Sequence, residues 1–155
     1  MAELSFSSEP FSYVDDPAVP PFDAPDHFTV MDAECGLCAK GAAWIARNDS
    51  GERFRIVPAQ STLGGALLRH YGMDPDDPLS WLYIAQGRPY TSLDAIIRVG
   101  KEFGGVWKAL SVFNLLPRRA QDYLYGVIAR NRYRFLGRKS FCDMPDPAIQ
   151  SRILR

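Results

Sequence analysis

Two hydrophobic rhythms alternate along this chain, and their order gives the first outline of the fold. Phe28-Thr29-Val30-Met31 is an unbroken apolar run of the length of a buried strand. From Cys35 to Asn48 the spacing turns helical, with Leu37, Gly41, Trp44 and Ile45 predicted on one face. Asn48-Asp49-Ser50-Gly51 is a turn cluster, and Phe54–Val57 reads as a second strand. A second helix is expected over Thr62–Tyr71, apolar at Leu63, Ala66 and Leu67, with Gly72 as its stop. Asp74 to Pro78 is a loop. Ser80–Ala85 and Arg88–Thr91 then read as an antiparallel hairpin turning at Gln86-Gly87.

Ser92 is the expected cap of a third helix carrying Leu93, Ile96 and Ile97, which ends at Gly104-Gly105. Val106–Leu116 is a fourth, mostly apolar helical piece whose side chains are expected in the core. Pro117 suits the first turn of a long fifth helix with Ala120, Leu124, Val127, Ile128 and Asn131 on one stripe. The order β-α-β-α-β-β-α is that of an α/β, thioredoxin-like domain with additional C-terminal helices. It is assigned to residues 27–155. Residues 1–26 are rich in Pro, Ser and acids and read as a flexible or loosely docked tail. Phe6, Phe11, Tyr13 and Phe22 within it suggest that parts clip onto the domain.

Net charge is zero, so the whole molecule favours neither nucleic acid nor a membrane surface, but the charge is unevenly spread. Met1 to Glu34 holds eight acidic residues and no Lys or Arg; Pro117 to Lys139 holds seven Lys/Arg against Asp122 alone. Intramolecular neutralisation explains this more simply than an acidic docking partner. No run approaches the roughly 18 apolar residues of a membrane span, and no secretory leader pattern opens the sequence. Three cysteines do not make a disulfide scaffold. A reducing, cytoplasmic setting is therefore expected.

The chemistry concentrates at Cys35-Gly36-Leu37-Cys38, with Asp32 three residues ahead. Two cysteines at this spacing can close a disulfide within one helical turn, and a helix N-terminus favours a thiolate on the first. Cys35 is the expected nucleophile, the more exposed of the two, and Cys38 the resolving thiol. Asp32 and Glu34 work against ionisation of Cys35. Two roles stay open for Asp32: proton acceptor for Cys38, or acceptor of backbone amides at the strand–helix turn. A zinc site would need Cys142, His70 or His27 beside the CxxC, but no second CxxC or CxxH occurs; His70 reads better as a satisfied, partly buried histidine. No cofactor fingerprint is present. In Arg130-Asn131-Arg132-Tyr133-Arg134-Phe135, arginine stems packed on aromatics are a simpler reading than nucleic-acid binding. If the last long helix folds back, Arg130–Arg134 and Cys142 come beside Cys35, where guanidinium groups would lower its pKa and offset Asp32.

These residues resemble the DCC family of thiol–disulfide oxidoreductases, named for the motif that stands here as Asp32-Ala33-Glu34-Cys35-Gly36-Leu37-Cys38. The similarity extends to Pro58-Ala59-Gln60-Ser61, to Tyr90-Thr91-Ser92 with Ala95, and to Ala129 through Lys139 followed by Cys142 and Pro145. It implies a thioredoxin-like fold, Asp32, Cys35 and Cys38 as defining residues, and a protein or small-molecule thiol or disulfide as substrate. The family usually has Gly where Ala33 stands, and often Asp where Ser140 stands. The cis-proline of thioredoxins has only a weak counterpart in Pro78. The alternative is a non-catalytic adaptor on the same scaffold, with a structural or zinc-holding CxxC.

Overall fold

A computed structural model of the chain describes residues 9–76, 81–138 and 146–154. Its centre is a four-stranded sheet in the order β2-β1-β3-β4. The strands are β1 (His27–Met31), β2 (Phe54–Pro58), β3 (Leu82–Ala85) and β4 (Arg88–Thr91). β1 pairs in parallel with β2 and antiparallel with β3, and β3 with β4 forms the expected hairpin. The helices are α1 (Gly36–Asn48), α2 (Thr62–His70), α3 (Ser92–Phe103), α4 (Arg118–Arg130), α5 (Arg132–Leu136) and α6 (Pro147–Gln150). The mixed α/β architecture is compatible with a thioredoxin-like fold.

Alternation along β1 divides the core in two. Phe28 and Val30 face one side with Val57, Leu82 and Ile84, where Leu63, Ala66, Leu67 and Leu68 of α2 cover them. Met31, with Phe54, Ile56 and Tyr83, faces the other side against α1, α3 and Ile149 of α6. The buried face of α1 is Gly36, Ala39, Ala42 and Ile45 rather than the expected Leu37–Gly41–Trp44–Ile45 face. Small side chains let this helix lie close to the sheet; Trp44 instead packs edge-on against Phe103 and Trp107.

Beside α2, the first side of the sheet is completed by residues 11–22. Tyr13 is 2% exposed and Val19 is buried, while Phe22 packs edge-to-face on Phe28. Tyr13 and Phe22 thus belong to the core of this side. A short 3-10 turn (Ser12–Asp15) places Ser12 and Asp16 around His70. Asp16 Oδ2 lies 2.6 Å from His70 Nδ1, and Ser12 Oγ lies 2.9 Å from Nε2. His70 is the satisfied, partly buried histidine that its helix register suggests.

The C-terminal half departs from expectation in three places. Ser92 does not cap α3: Thr91 is the N-cap, and Ser92 opens the helix at φ 58°. Gly105–Leu115 is a 3-10 run, not an α-helix, and none of its residues is buried. Its apolar side chains are therefore not core, with Val106 80% and Leu115 85% exposed. The predicted apolar stripe of the next helix also faces out at Leu124 and Ile128; α4 buries Gln121 and Ala129 instead. The Gln121 side-chain amide explains part of this, because its Nε2 donates to the carbonyls of Phe113 and Leu116 and closes the end of the 3-10 run. No helix among the described residues is long and apolar enough to cross a membrane.

Removing the Tyr13 ring should open a cavity against Phe28 and Phe22. Tyr13→Ala is expected to lower the unfolding free energy by about 3 kcal/mol, read as a reduced urea midpoint at unchanged slope. An unchanged midpoint would show that residues 9–22 contribute nothing to the core.

Candidate active site

The site lies where the parallel strands β1 and β2 end side by side. Ala59 N–H donates to Met31 O at 2.8 Å and carries the pairing just past the strands. After β1 the chain turns sharply into α1: Asp32 Oδ1 accepts from Glu34 N at 3.0 Å, and Cys35 N–H reaches Asp32 O at 3.4 Å. Ala33 is absent from the positive-φ residues, so it carries no left-handed strain in place of glycine. After β2 the turn is set by Ser61, whose Oγ donates to Pro58 O and accepts from Gly64 N. Here α2 approaches β2 so closely that a Cβ on Gly64 would stand 2.0 Å from Pro58 O. Gln60, between these features, stitches the two turns together. Its Oε1 accepts from Ala33 N at 3.0 Å, and its Nε2 donates to Asp32 Oδ1 at 2.8 Å.

Asp32 is 4% exposed. Its second oxygen, Oδ2, accepts a short hydrogen bond from the Tyr133 hydroxyl. Arg132 Nη2 stands 3.8 Å from the same oxygen, and the Arg132 side chain is itself buried. Burial pushes the Asp32 carboxyl up. The bonds from Tyr133, Gln60 and the Glu34 amide, with the charge of Arg132, outweigh it and hold the group below the usual carboxylate range. Asp32 is thus a buried anion, and the amide-acceptor role read from the sequence is one of several it fills.

Cys35 is the N-cap of α1, with extended backbone, and its carbonyl accepts the first helical bond from Ala39 N at 2.9 Å. Cys38 follows one turn in. Both thiols are free. The adjoining Cys38 thiol, and after it the backbone of Cys38 and Leu37, favours charge on the Cys35 sulfur; this outweighs burial and the repulsion of Asp32 and brings the Cys35 thiol down to about 6. Cys38 moves the other way: its bond to Cys35, burial, and the charges of Cys35 and Asp32 all raise it. One thiolate is thus shared by the pair and resides on Cys35.

The expected order of exposure is reversed. Cys35 is 0% exposed, whereas Cys38 is half-buried. Residues 137 and 138, just beyond α5, run beside the head of α1. Cys35 and Arg138 form an antiparallel bridge, and Gly36 N–H donates to Gly137 O at 3.2 Å. The fold-back expected for the last helices therefore occurs, but its charge is used differently. Arg132 pairs with Asp32 and stacks over Tyr133, 4.7 Å from the ring centroid. Arg130 and Arg134 are exposed, and no guanidinium is among the groups that lower Cys35. Arg132 acts on the thiols by offsetting Asp32.

His27 bonds to the Tyr83 hydroxyl at 2.9 Å and stacks on Phe54, so both histidines considered as zinc ligands are engaged elsewhere. Among the described residues no group of three His, Cys, Asp or Glu could hold a metal ion. Cys142, Ser140, Pro145 and Pro78 lie outside the described residues. Residue-type reasoning did not find Gln60, Arg132 and Tyr133 as partners of Asp32. The signal available was that all three fall in the segments on which the family resemblance rests.

Comparison with known proteins agrees with this geometry. Residues 29–138 match the model of the DCC1-like thiol-disulfide oxidoreductase family. The uncharacterized protein YuxK of Bacillus subtilis is 32% identical over 130 residues, covering 84% of this chain and 95% of that protein. A chloroplastic DCC family protein of Arabidopsis thaliana is 29% identical over 116 residues, covering 74% of this chain and 67% of that protein. No solved structure matches the chain.

The thiol assignment has a pH signature. The ultraviolet absorbance of thiolate should rise with a midpoint near the value of about 6 and lose that rise in Cys35→Ser. The unfolded thiol titrates at about 8.5. Between these values the folded chain has lost a proton that the unfolded chain still holds, so stability should rise with pH through this window. Above it the Cys35 contribution is complete, and the raised Cys38 thiol turns the slope downward. Cys35→Ser should abolish the rise; a wild-type curve flat across the window would refute the shared thiolate.

Proposed function

Because the chain belongs to the DCC1-like thiol-disulfide oxidoreductase family, we propose that it exchanges electrons with a thiol or disulfide substrate through Cys35 and Cys38. The observation that carries this reading is the divided pair: a Cys35 thiol brought down to about 6 and a Cys38 thiol that keeps its proton and donates it to Cys35. An ordinary thiol near 8.5 is only a few per cent ionised at neutral pH, whereas one near 6 is mostly thiolate. Attack on a disulfide needs that thiolate.

In the reductive direction the Cys35 thiolate attacks one sulfur of the substrate disulfide. The substrate S–S bond breaks, a Cys35 mixed disulfide forms, and the released sulfur leaves as a thiolate that takes a proton from water. This step also prepares the next. Once Cys35 is bonded to substrate, its negative charge and its acceptor bond to Cys38 are gone, and these are among the causes that hold the Cys38 thiol up. Cys38 then ionises more readily, and Asp32, the buried carboxylate whose charge both thiols feel, takes its proton. The Cys38 thiolate attacks Cys35 Sγ, the bond from Cys35 to substrate breaks, and the Cys35–Cys38 disulfide closes; the second substrate sulfur leaves as a thiolate and takes up the proton that Asp32 held. The substrate gains two electrons, and an external dithiol must return two to the protein. The reverse sequence oxidises a dithiol.

The complete burial of Cys35 favours a second reading, an adaptor with inert thiols. The two separate in a redox titration against glutathione buffers, with mass spectrometry locating any bond. A reversible Cys35–Cys38 couple between about −180 and −270 mV is expected; thiols that stay unlinked throughout would leave the adaptor. In the active protein, Asp32→Asn should slow release from the Cys35 mixed disulfide at least tenfold relative to its formation. Equal slowing of both steps would remove Asp32 from proton transfer. Cysteine usage favours a cytoplasmic setting, while a relative bears a chloroplastic name.

A further inference from the structure

The cover over Cys35 has the form of a polypeptide docked beside a nucleophile. Residues 137 and 138 run antiparallel to residues 35 and 36, and the contact is made by main chain: an antiparallel bridge between Cys35 and Arg138, and the Gly36 N–H bonded to Gly137 O. The grip is uneven along its length. At the root, Tyr133 bonds to the buried Asp32 carboxylate and Arg132 stands beside it. At the tip, Arg138 reaches Glu34 at 3.5 Å between side chains that are 70% and 59% exposed, a pairing worth little in water. Between root and tip, Gly137 sits at φ 66° and ends α5. A residue with glycine's freedom there lets the tip swing while the root stays fixed.

Resting on the redox reading above, we propose that the main chain at Cys35 and Gly36 is the docking edge for substrate, and that Gly137–Arg138 occupies it when substrate is absent. The substrate is accordingly a disulfide carried in an extended polypeptide segment. Such a segment can offer a carbonyl to the Gly36 N–H while it brings its own sulfur against Cys35. This is strand addition at a length of one or two residues, recognising backbone and tolerating many side chains. A small disulfide without amide groups, such as hydroxyethyl disulfide, offers nothing to replace the bond lost when Gly137 leaves. The chemistry is unchanged: the substrate S–S bond breaks as the Cys35–substrate bond forms, and Cys38 then displaces the substrate thiol.

The test uses the full chain carrying Cys38→Ser, joined chemically at Cys35 by a disulfide to a nine-residue peptide with one central cysteine. Mercaptoethanol joined in the same way is the small-adduct control. In the peptide adduct, nuclear Overhauser contacts from the backbone protons of Cys35 and Gly36 should move from Gly137–Arg138 to the peptide. The Gly36 amide should stay protected from hydrogen exchange, and tryptic cleavage after Arg138 should quicken at least tenfold over the unmodified chain. Contacts to Gly137–Arg138 that persist in the peptide adduct would overturn the proposal, as would a Gly36 amide that becomes freely exchanging. Because the adduct is made chemically, the result does not depend on turnover. Docking observed in a chain with no redox couple would remove the oxidoreductase reading alone, and a redox couple without docking would remove this one alone.

Discussion

A carboxylate withheld from water governs this structure. Asp32 stands at the end of the central strand, almost without exposure, and an ion in that position must be given partners or give up its charge. The chain keeps the charge. Partners come from three separate stretches: the Glu34 amide from its own turn, Gln60 from the turn after β2, and Tyr133 with Arg132 from the first turn of α5. Each contact fixes a piece of backbone as well as satisfying an oxygen. Gln60 holds two strand ends in step, and Tyr133 sets the helix whose exit crosses Cys35. Taking one partner from a buried pair of this kind costs about 3–5 kcal/mol, which is a large part of the stability of an ordinary domain.

The same anion sets the electrical background for the thiols. Its charge raises both, so the low value at Cys35 is achieved against it, by hydrogen bonds given at short range. The neighbouring thiol contributes most, and the backbone of the first turn of α1 adds to it. Local bonds therefore win over a nearby full charge, in part because Arg132 and Tyr133 blunt that charge.

The strands and α2 were legible in the sequence because burial there follows period: β1 and β2 are mostly apolar, and the Leu63–Ala66–Leu67 face of α2 is in the core. The first and third helices were legible as elements, but α1 buries Gly36, Ala39 and Ala42, and α3 buries Ala95, Val99 and Gly100, which the predicted faces omit. The pairing of Asp, Cys and Cys at a strand–helix junction was legible too, since local spacing alone delivers it. What lay beyond local reading was decided across the fold. A helix N-terminus read by itself leaves Cys35 exposed, yet Cys35 is buried, with residues 137 and 138 paired beside it from far along the chain. Arg132 and Arg134 are indistinguishable by composition, yet one is inside and the other in water. Val106, Val112 and Leu115 have the hydrophobicity of core residues, but the 3-10 geometry of their segment turns them away from the sheet. Pattern reports what a residue favours, and here the path of the chain after α3 overrode it.

The bond between Tyr133 and Asp32 spans 101 positions of sequence, and that separation bears on how the molecule comes into being. During synthesis the strand–helix junction, with both cysteines on it, emerges well before α5 and residues 137 and 138. Until those follow, Asp32 has no Tyr133 or Arg132, and Cys35 lacks the main chain that pairs with it. The nascent chain therefore passes through a period in which its thiols are more open to whatever oxidant surrounds the ribosome. Arrival of α5 and the residues after it is what ends that period.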